Sequence, residues 1–259
     1  MKKLNVLILV FFGIILGSCS TNNKKTYDSN RTENIEPVKQ GSPEQVNLDL
    51  GVGYLKRGRK GDLDIAIGKF KKAIAYSPHY ALAHSMIANV YDKKGLFDDA
   101  EKHYKLSIKY NNNNPDILNN YANFLCQRGF YDKAINHYMK IVDNPQYELA
   151  GYAYENAGIC SYKAKYIVQA EEYFRKSLSI DPKLTNSLYY LMIISKDNKQ
   201  YMKARAFLQR IEGLFNPSPE LLLAGYEIEK ALGHNSQARQ YLTNLQKNYP
   251  DSEILKNIE

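Results

Sequence analysis

The 259-residue chain has no tryptophan, only three cysteines and no Cys-x-x-Cys pair. It also lacks a glycine-rich phosphate loop and a Gly-x-Ser-x-Gly motif, so two common enzyme signatures are missing. The five histidines form no metal-ligand pattern. His103 and His137 stand 34 residues apart, and we expect them to occupy equivalent surface positions. The sequence therefore predicts a protein that is not an enzyme and has no cofactor or metal site.

Positive charge exceeds negative charge, but it is dispersed. The chain has 35 lysines and arginines against 27 aspartates and glutamates, a formal net charge of +8, and no basic run exceeds two residues outside the broken segment 56–60. A dispersed excess favours an anionic lipid surface or an acidic protein more than a nucleic acid. We therefore expect neither a nucleic-acid partner nor a small-molecule substrate.

The chain contains instead a repeat of about 34 residues. Six alanines recur at separations of 34, 34, 36, 34 and 34 residues, and a bulky residue follows each alanine four positions later. The pairs are Ala66 and Phe70, Ala100 and Tyr104, Ala134 and Tyr138, Ala170 and Phe174, Ala204 and Leu208, and Ala238 and Leu242. A small residue lets two helices approach closely, and a bulky residue at i+4 lies on the same face. A fixed period of this length predicts an all-α solenoid of six helical hairpins.

Turn signals stand at fixed distances from these alanines. Five residues before each alanine comes a glycine in four copies and a lysine in two: Gly61, Gly95, Gly129, Lys165, Lys199 and Gly233. Glycine accepts the left-handed conformation that ends a helix. We expect the first of these turns, around 58–61, to be enlarged by three residues.

The N-terminus has the pattern of an export signal, which we assign to residues 1–18. Lys2 and Lys3 precede an apolar run that is too short for a comfortable membrane span. The run ends in Leu16-Gly-Ser-Cys19, which resembles the bacterial lipobox and predicts a palmitate-bearing lipid anchor at Cys19; the alternative is an ordinary signal peptide that contains a cysteine. Because Ser20 follows instead of aspartate, we expect sorting to the periplasmic face of the outer membrane. Residues 19–43 are polar and are expected to form a flexible tether.

The internal pattern resembles the tetratricopeptide repeat, whose hairpins stack into a right-handed superhelix with the first helices on the concave wall. The expected repeats span about 44–80, 81–114, 115–150, 151–184, 185–218 and 219–251, with a tail at 252–259. A concave surface of this kind typically forms a groove for a protein or peptide.

Two sets of residues stand out on the first helices. Cys126 and Cys160 lie in neighbouring repeats, so they form either a structural disulfide of an oxidising compartment or two small core residues. Asparagines and tyrosines are placed to contact a peptide backbone, or form a solvated polar face. This set is Asn89, Asn119, Asn120, Asn123, Asn156, Tyr152, Tyr162 and Tyr189. Asn89 and Asn120 match asparagines of carboxylate-clamp domains, but Ser85 and Tyr152 replace the clamp's basic residues, which argues against a chaperone-tail ligand.

Several longer stretches resemble a family of outer-membrane lipoproteins, the PilF and PilW proteins of type IV pilus biogenesis, some of which are called pilotins. They are Leu50-Gly-Val-Gly-Tyr-Leu55, Asn119-Asn-Tyr-Ala-Asn-Phe-Leu-Cys126, Asn144-Pro-Gln-Tyr147, Glu155-Asn-Ala-Gly-Ile-Cys160, and the segment 218–233. The resemblance implies that the protein binds the pilus secretin and promotes its localisation and multimerisation. The alternative is a general scaffold of the cell envelope that serves outer-membrane protein assembly or peptidoglycan enzymes.

Overall fold

A computed structural model describes residues 39–144 and 147–257 of the chain. Regular structure in these ranges consists of α-helices and one terminal 3-10 turn. The first three hairpins are α1 (Pro43–Arg57) with α2 (Asp62–Tyr76), α3 (Ala81–Lys93) with α4 (Phe97–Tyr110), and α5 (Pro115–Gln127) with α6 (Tyr131–Val142). The last three are α7 (Ala150–Lys163) with α8 (Ile167–Ile180), α9 (Thr185–Asp197) with α10 (Tyr201–Glu212), and α11 (Pro219–Ala231) with α12 (Asn235–Asn248). The 3-10 turn spans Glu253–Asn257.

The helices pair and stack as an all-α solenoid of tetratricopeptide type. Each odd-numbered helix packs against the next even-numbered helix of its hairpin, and α2, α4, α6, α8 and α10 then pack against the first helix of the following hairpin. Neighbouring first helices also touch one another, as α3 does α5, α5 does α7, and α7 does α9. These additional contacts place the row of first helices on the inner side of the stack. Across the described ranges, no helix is both long and apolar enough to cross a membrane.

The six repeat alanines mark the helix crossings. Each is at most 3% exposed, and five of the six bulky partners are at most 1% exposed. Burial of a large apolar side chain stabilises a fold by about 1.5–3 kcal/mol. The repeated alanine–bulky pairs therefore form the centre of successive hairpins.

The sixth hairpin departs from this pattern. Leu242 is only half-buried, whereas Leu245 is fully buried. Gly225 faces the ring of Tyr241, and an added Cβ would lie 2.4 Å from its Cε1. The prediction that Leu242 fills this crossing is therefore wrong. Because Gly225 has no side chain, the ring of Tyr241, the residue before Leu242, occupies the space.

Helix termini follow local chemistry. Ser42, Asn114 and Ser218 accept hydrogen bonds from backbone N–H groups at the starts of α1, α5 and α11, and each is followed by a proline. Proline at the first helical position sacrifices no helical hydrogen bond. These caps fix the starts of the first, third and sixth hairpins.

The turns inside the hairpins adopt the left-handed conformation, including the two without glycine. Lys165 has φ of 66° and Lys199 has φ of 59°, close to the 74° of Gly95 at the equivalent position. The first turn has four residues, 58–61, and α1 and α2 are each 15 residues long. The extra length of the first repeat therefore lies only partly in its turn.

Candidate partner-binding site

Two surfaces qualify as binding sites: the inner wall of the stack and the outer face of α1. The eight asparagines and tyrosines expected on the wall all lie on first helices, from α3 to α9. Cys19, the export signal and most of the tether lie outside the described residues, as do Pro145 and Gln146.

Two of the asparagines stabilise their own hairpins. The hydroxyl of Tyr138 donates a hydrogen bond of 2.6 Å to Oδ1 of Asn123. At the equivalent position, the side chain of Asn89 interacts with the hydroxyl of Tyr104. Both tyrosine rings are at most 1% exposed, and each hydroxyl needs a partner because an unpaired buried polar group is costly. The position shared by Asn89 and Asn123 therefore has a structural role inside the hairpin.

The other three asparagines join neighbouring repeats. Nδ2 of Asn156 donates to Oδ1 of Asn119 over 2.9 Å, linking α7 to α5. Nδ2 of Asn120 donates to Oγ of Ser85 over 3.3 Å, linking α5 to α3. These amides lie half-buried between first helices. They hold the spacing of the wall, and each amide has donor or acceptor capacity beyond these bonds.

The tyrosines form a cluster further along the wall. The ring of Tyr190, itself stacked on Phe174, lies 5.0 Å from that of Tyr162 and 5.6 Å from that of Tyr189. Tyr152 is separate from this cluster and 49% exposed. Burial raises the pKa values of Tyr162 and Tyr189, so both hydroxyls stay protonated at neutral pH. The cluster offers a rigid aromatic surface with hydroxyl groups.

A disulfide joins Cys126 of α5 to Cys160 of α7, with a Cα–Cα distance of 5.7 Å. It connects the third and fourth hairpins across the longest loop between helices, residues 143–149. The covalent link lies in the same pair of helices as the bond between Asn119 and Asn156. The centre of the wall is therefore cross-linked by both kinds of bond.

The second surface is a shallow cleft of about 430 Å³ on the outer face of α1. It is lined by Val46, Asp49, Leu50, Gly53, Tyr54 and Arg57. Val46 and Leu50 are each 44% exposed. We call this surface the open α1 face.

Corresponding positions in later repeats are covered. Gly51, Ala88, Ala122, Gly158, Met192 and Gly225 occupy the same position in their first helices. The counterparts of Leu50, one residue earlier, are all buried: Ile87, Tyr121, Ala157, Leu191 and Ala224. The counterparts of Val46 in repeats two to five are also buried: Ala83, Ile117, Ala153 and Ser187. In those repeats the second helix of the preceding hairpin packs on the first helix, whereas no helix among residues 39–144 and 147–257 covers the open α1 face.

Charged groups stand at one end of this face. The guanidinium of Arg57 donates to Asp62 through Nε, over 2.8 Å, and through Nη2, over 2.5 Å. The hydrogen bonds from Arg57 lower the pKa of Asp62 to about 2, so the carboxylate stays ionised. Arg57 also lies over the ring of Tyr54, 4.6 Å from its centroid. Arg57 is thereby held at the rim, with Asp49 as an opposite charge two helical turns earlier.

The other end of the solenoid is polar. The exposed side chains of α12 are Asn235, Ser236, Gln237, Arg239, Gln240, Thr243, Gln246, Lys247 and Asn248. Terminal repeats of solenoids generally need such a polar outer face for solubility. The apolar residues on α1 therefore mark an exception at the N-terminal end.

His103 and His137 are half-buried and do not lie on the surface as expected. His103 is half-buried with its Nδ1 3.0 Å from Nδ1 of His84, and the ring of His137 packs 5.1 Å from that of Tyr121. Burial lowers the pKa of all three histidines, to about 4 for His103. Within the part of the chain that the structure describes, no group of three metal-ligating side chains comes together.

The open α1 face was not predicted from the sequence, although the repeat register contained a signal for it. Leu50 and Val46 occupy positions that are buried in later repeats, and no earlier hairpin is available in the repeat pattern to cover them. Apolar residues at inter-repeat positions of a first repeat therefore indicate an exposed docking face.

Comparisons with known proteins agree with this architecture. The tetratricopeptide repeat family matches residues 56–115. The type IV pilus assembly protein PilF of Pseudomonas aeruginosa is 26% identical over 205 residues, which cover 79% of this chain and 80% of PilF. The solved structure of Pseudomonas aeruginosa PilF has a TM-score of 0.73 at 25% identity, covering 83% of this chain and 95% of PilF. The crystal structure of PilW, a widely conserved type IV pilus biogenesis factor, has a TM-score of 0.73 at 26% identity, covering 85% of this chain and 98% of PilW.

Proposed function

We propose that this chain, a tetratricopeptide-repeat protein homologous to the type IV pilus biogenesis proteins PilF and PilW, supports pilus assembly by binding a protein partner. Tetratricopeptide scaffolds are typically interaction modules without catalytic activity. The homology supports a role in pilus biogenesis. The partner that we propose is the pilus secretin, whose localisation and multimerisation the bound protein would promote.

The open α1 face is the observation that supports binding most directly. Val46 and Leu50 are exposed where their counterparts in repeats two to five pack beneath a helix. A partner that restores this packing needs a helix with an apolar stripe at i, i+3 or i+4 spacing. We propose that an amphipathic helix of the secretin occupies the face, with a basic residue near Asp49 and an acidic residue near Arg57.

A second copy of the chain is a poor occupant of this face. Head-to-tail stacking would bring the open α1 face against α12, whose exposed side chains are polar. Those side chains would lose hydration without gaining apolar contacts. A partner helix with its own apolar stripe avoids this cost.

Lipidation of Cys19 is the second part of the proposal. Attached acyl chains would hold the protein at the periplasmic face of the outer membrane, where the secretin assembles. Localisation at one membrane raises the effective concentration of two partners, so a weak contact at α1 suffices. The inner wall, with its tyrosine cluster, would contact further segments of the partner.

A charge introduced on the open α1 face tests the proposal. We expect Val46→Glu/Leu50→Glu to abolish capture of the secretin and to reduce both heat-resistant secretin multimers and surface pili, because two carboxylates cannot pack beneath an apolar helix. The matched control is Ile65→Glu on α2, whose side chain is 42% exposed in the same hairpin but lies outside the cleft. Circular dichroism checks that both variants fold.

Three results would contradict the proposal. Normal secretin multimers with a folded Val46→Glu/Leu50→Glu protein would exclude the open α1 face. Unchanged multimers and pili after deletion of the gene would exclude the pilus role itself. Labelled palmitate retained by Cys19→Ala would exclude that residue as the anchor.

A further inference from the structure

A patch of exposed apolar and basic side chains lies at the turns of the fourth and fifth hairpins. It consists of Lys163, Lys165, Tyr166, Val168, Lys199, Met202 and Lys203, which we call the turn patch. Val168 is 86% exposed and Met202 is 62% exposed. The proposed secretin contact on α1 does not involve these residues.

The position of Val168 and Met202 is unusual for an apolar side chain. Both are the second residue of a second helix, α8 or α10. The same position in α4 and α6 holds Asp98 and Asp132. An acidic residue is favoured there because it faces the positive end of the helix dipole. The fourth and fifth hairpins therefore replace a locally stabilising carboxylate with an apolar side chain that is exposed to solvent.

These two turns also have a more positive net charge than the equivalent turn of the second hairpin. Segments 162–169 and 196–203 contain five lysines and one aspartate, whereas the turn segment 92–99 contains two lysines and three aspartates. Lys196 is paired with Glu227, and Lys165, Lys199 and Lys203 are exposed in the patch. Since α7 contacts α9, the two lysine-rich turns are neighbours at one edge of the stack.

We propose that the turn patch docks onto the surface of an anionic lipid bilayer. Lysines are attracted to anionic headgroups, while valine, methionine and tyrosine side chains at the tips of turns enter the interface between headgroups and acyl chains. Unlike Val46 and Leu50, which lie on one face of α1, Val168 and Met202 lie at the starts of two different helices and do not form a stripe that a partner helix would cover. The combination of positive charge and protruding apolar groups therefore favours lipid over protein.

The geometry of the tether permits this contact. The inference rests on the proposed anchor at Cys19 for bringing the domain to a membrane. The 20 residues from Cys19 to Lys39 set an upper limit of roughly 70 Å on the distance between the anchor and the first helix. First helices of 13–15 residues are about 20 Å long, and the patch also lies three to four hairpins along the stack from α1 at about 10 Å per hairpin, so it stays within this limit.

The absence of tryptophan makes a direct test possible. Val168→Trp introduces the only tryptophan into the full chain, and Ile180→Trp is the matched control because Ile180 is 48% exposed at the opposite end of α8. Each protein is reconstituted into vesicles of phosphatidylcholine with or without phosphatidylglycerol. We expect blue-shifted emission and quenching by brominated lipid for Val168→Trp in anionic vesicles, loss of both in neutral vesicles, and no change for Ile180→Trp.

A charge variant and a separate label complete the test. Lys165→Glu/Lys199→Glu in the Val168→Trp background should abolish the quenching while retaining palmitate label and helical circular dichroism. Labelled chain that floats with anionic vesicles but shows no tryptophan response would overturn the patch and leave the anchor intact. Unlabelled chain would overturn the anchor, and its titration with anionic vesicles would then test the patch alone: quenching supports it and unchanged emission overturns it.

Discussion

The close contact between Gly158 and Phe174 should make that hairpin intolerant of a single methyl group. A Cβ built at Gly158 would lie 2.6 Å from Cε1 and 2.7 Å from Cδ1 of Phe174, against ordinary contacts of 3.4–4 Å. The ring is fully buried and has Tyr190 stacked 5.1 Å away, so it has little room to retreat. We expect Gly158→Ala to introduce an overpacking cost of about 1–3 kcal/mol.

Alanine also has a higher helix propensity than glycine, by about 1 kcal/mol, and a control must remove this contribution. Gly68→Ala provides it, because Gly68 lies within α2 and has no heavy atom within 4 Å of an added Cβ. Gly68→Ala should stabilise the protein by about 0.5–1 kcal/mol. The difference in free energy of unfolding between the two variants should therefore be about 1–3 kcal/mol.

Urea unfolding followed by circular dichroism measures this difference, with amide exchange in α7 and α8 as a local probe in case the stack unfolds in parts. Phe174→Leu shortens the ring side chain and should relieve the overpacking, so the double variant Gly158→Ala/Phe174→Leu should show a favourable coupling energy. Equal effects of Gly158→Ala and Gly68→Ala, or additive effects in the double variant, would refute the proposed steric contact.

Three further predictions concern covalent, backbone and acid stability. Cys126→Ala/Cys160→Ala should lower the free energy of unfolding in urea by about 4 kcal/mol, because the disulfide closes a loop of 34 residues. A loss below about 1 kcal/mol, or further destabilisation of this variant by dithiothreitol, would contradict the cross-link. Lys165→Gly should raise the thermal midpoint, since it removes a left-handed strain of about 1 kcal/mol, whereas Gly95→Ala should lower it; the opposite ranking would refute the turn argument. Burial lowers the pKa of His103 to about 4 on folding, so its neutral form contributes fully to stability above pH 6.5 and this contribution is lost as the pH decreases towards 4. The free energy of unfolding should therefore fall by about 2 kcal/mol between pH 7 and pH 5, and by less in His103→Gln.

The sequence predicted the periodic part of the fold because one physical requirement recurs in every hairpin. Ala66 and its five counterparts are buried wherever two helices cross, and Lys165 and Lys199 adopt the left-handed turn that glycine serves elsewhere. The packing register of the sixth hairpin was not predictable from the spacing of the repeat alanines. Its crossing depends on the contact of Gly225 with Tyr241, which is determined by packing in three dimensions.

The candidate site was predictable only in part, for a related reason. The repeat spacing placed Asn89 and Asn123 at equivalent positions. It could not show that their amides interact with the hydroxyl groups of Tyr104 and Tyr138. A half-buried asparagine has the same sequence pattern whether its partner is a neighbouring side chain or a bound peptide. The hydrogen bonds that the wall asparagines make within the protein therefore determine which of them can still bind a partner.

The two ends of the stack differ in a way that connects the fold to binding. Each hairpin offers an apolar face to the hairpin before it, so a stack of any length leaves one such face uncovered at its N-terminal end. The C-terminal end is closed by the polar α12 and the short turn that follows it. On α1, Val46 and Leu50 each leave 44% of their surface exposed at the other end of the stack. The partner helix that we propose would cover both of these apolar residues beside the ordered Arg57 and so close the N-terminal end of the stack.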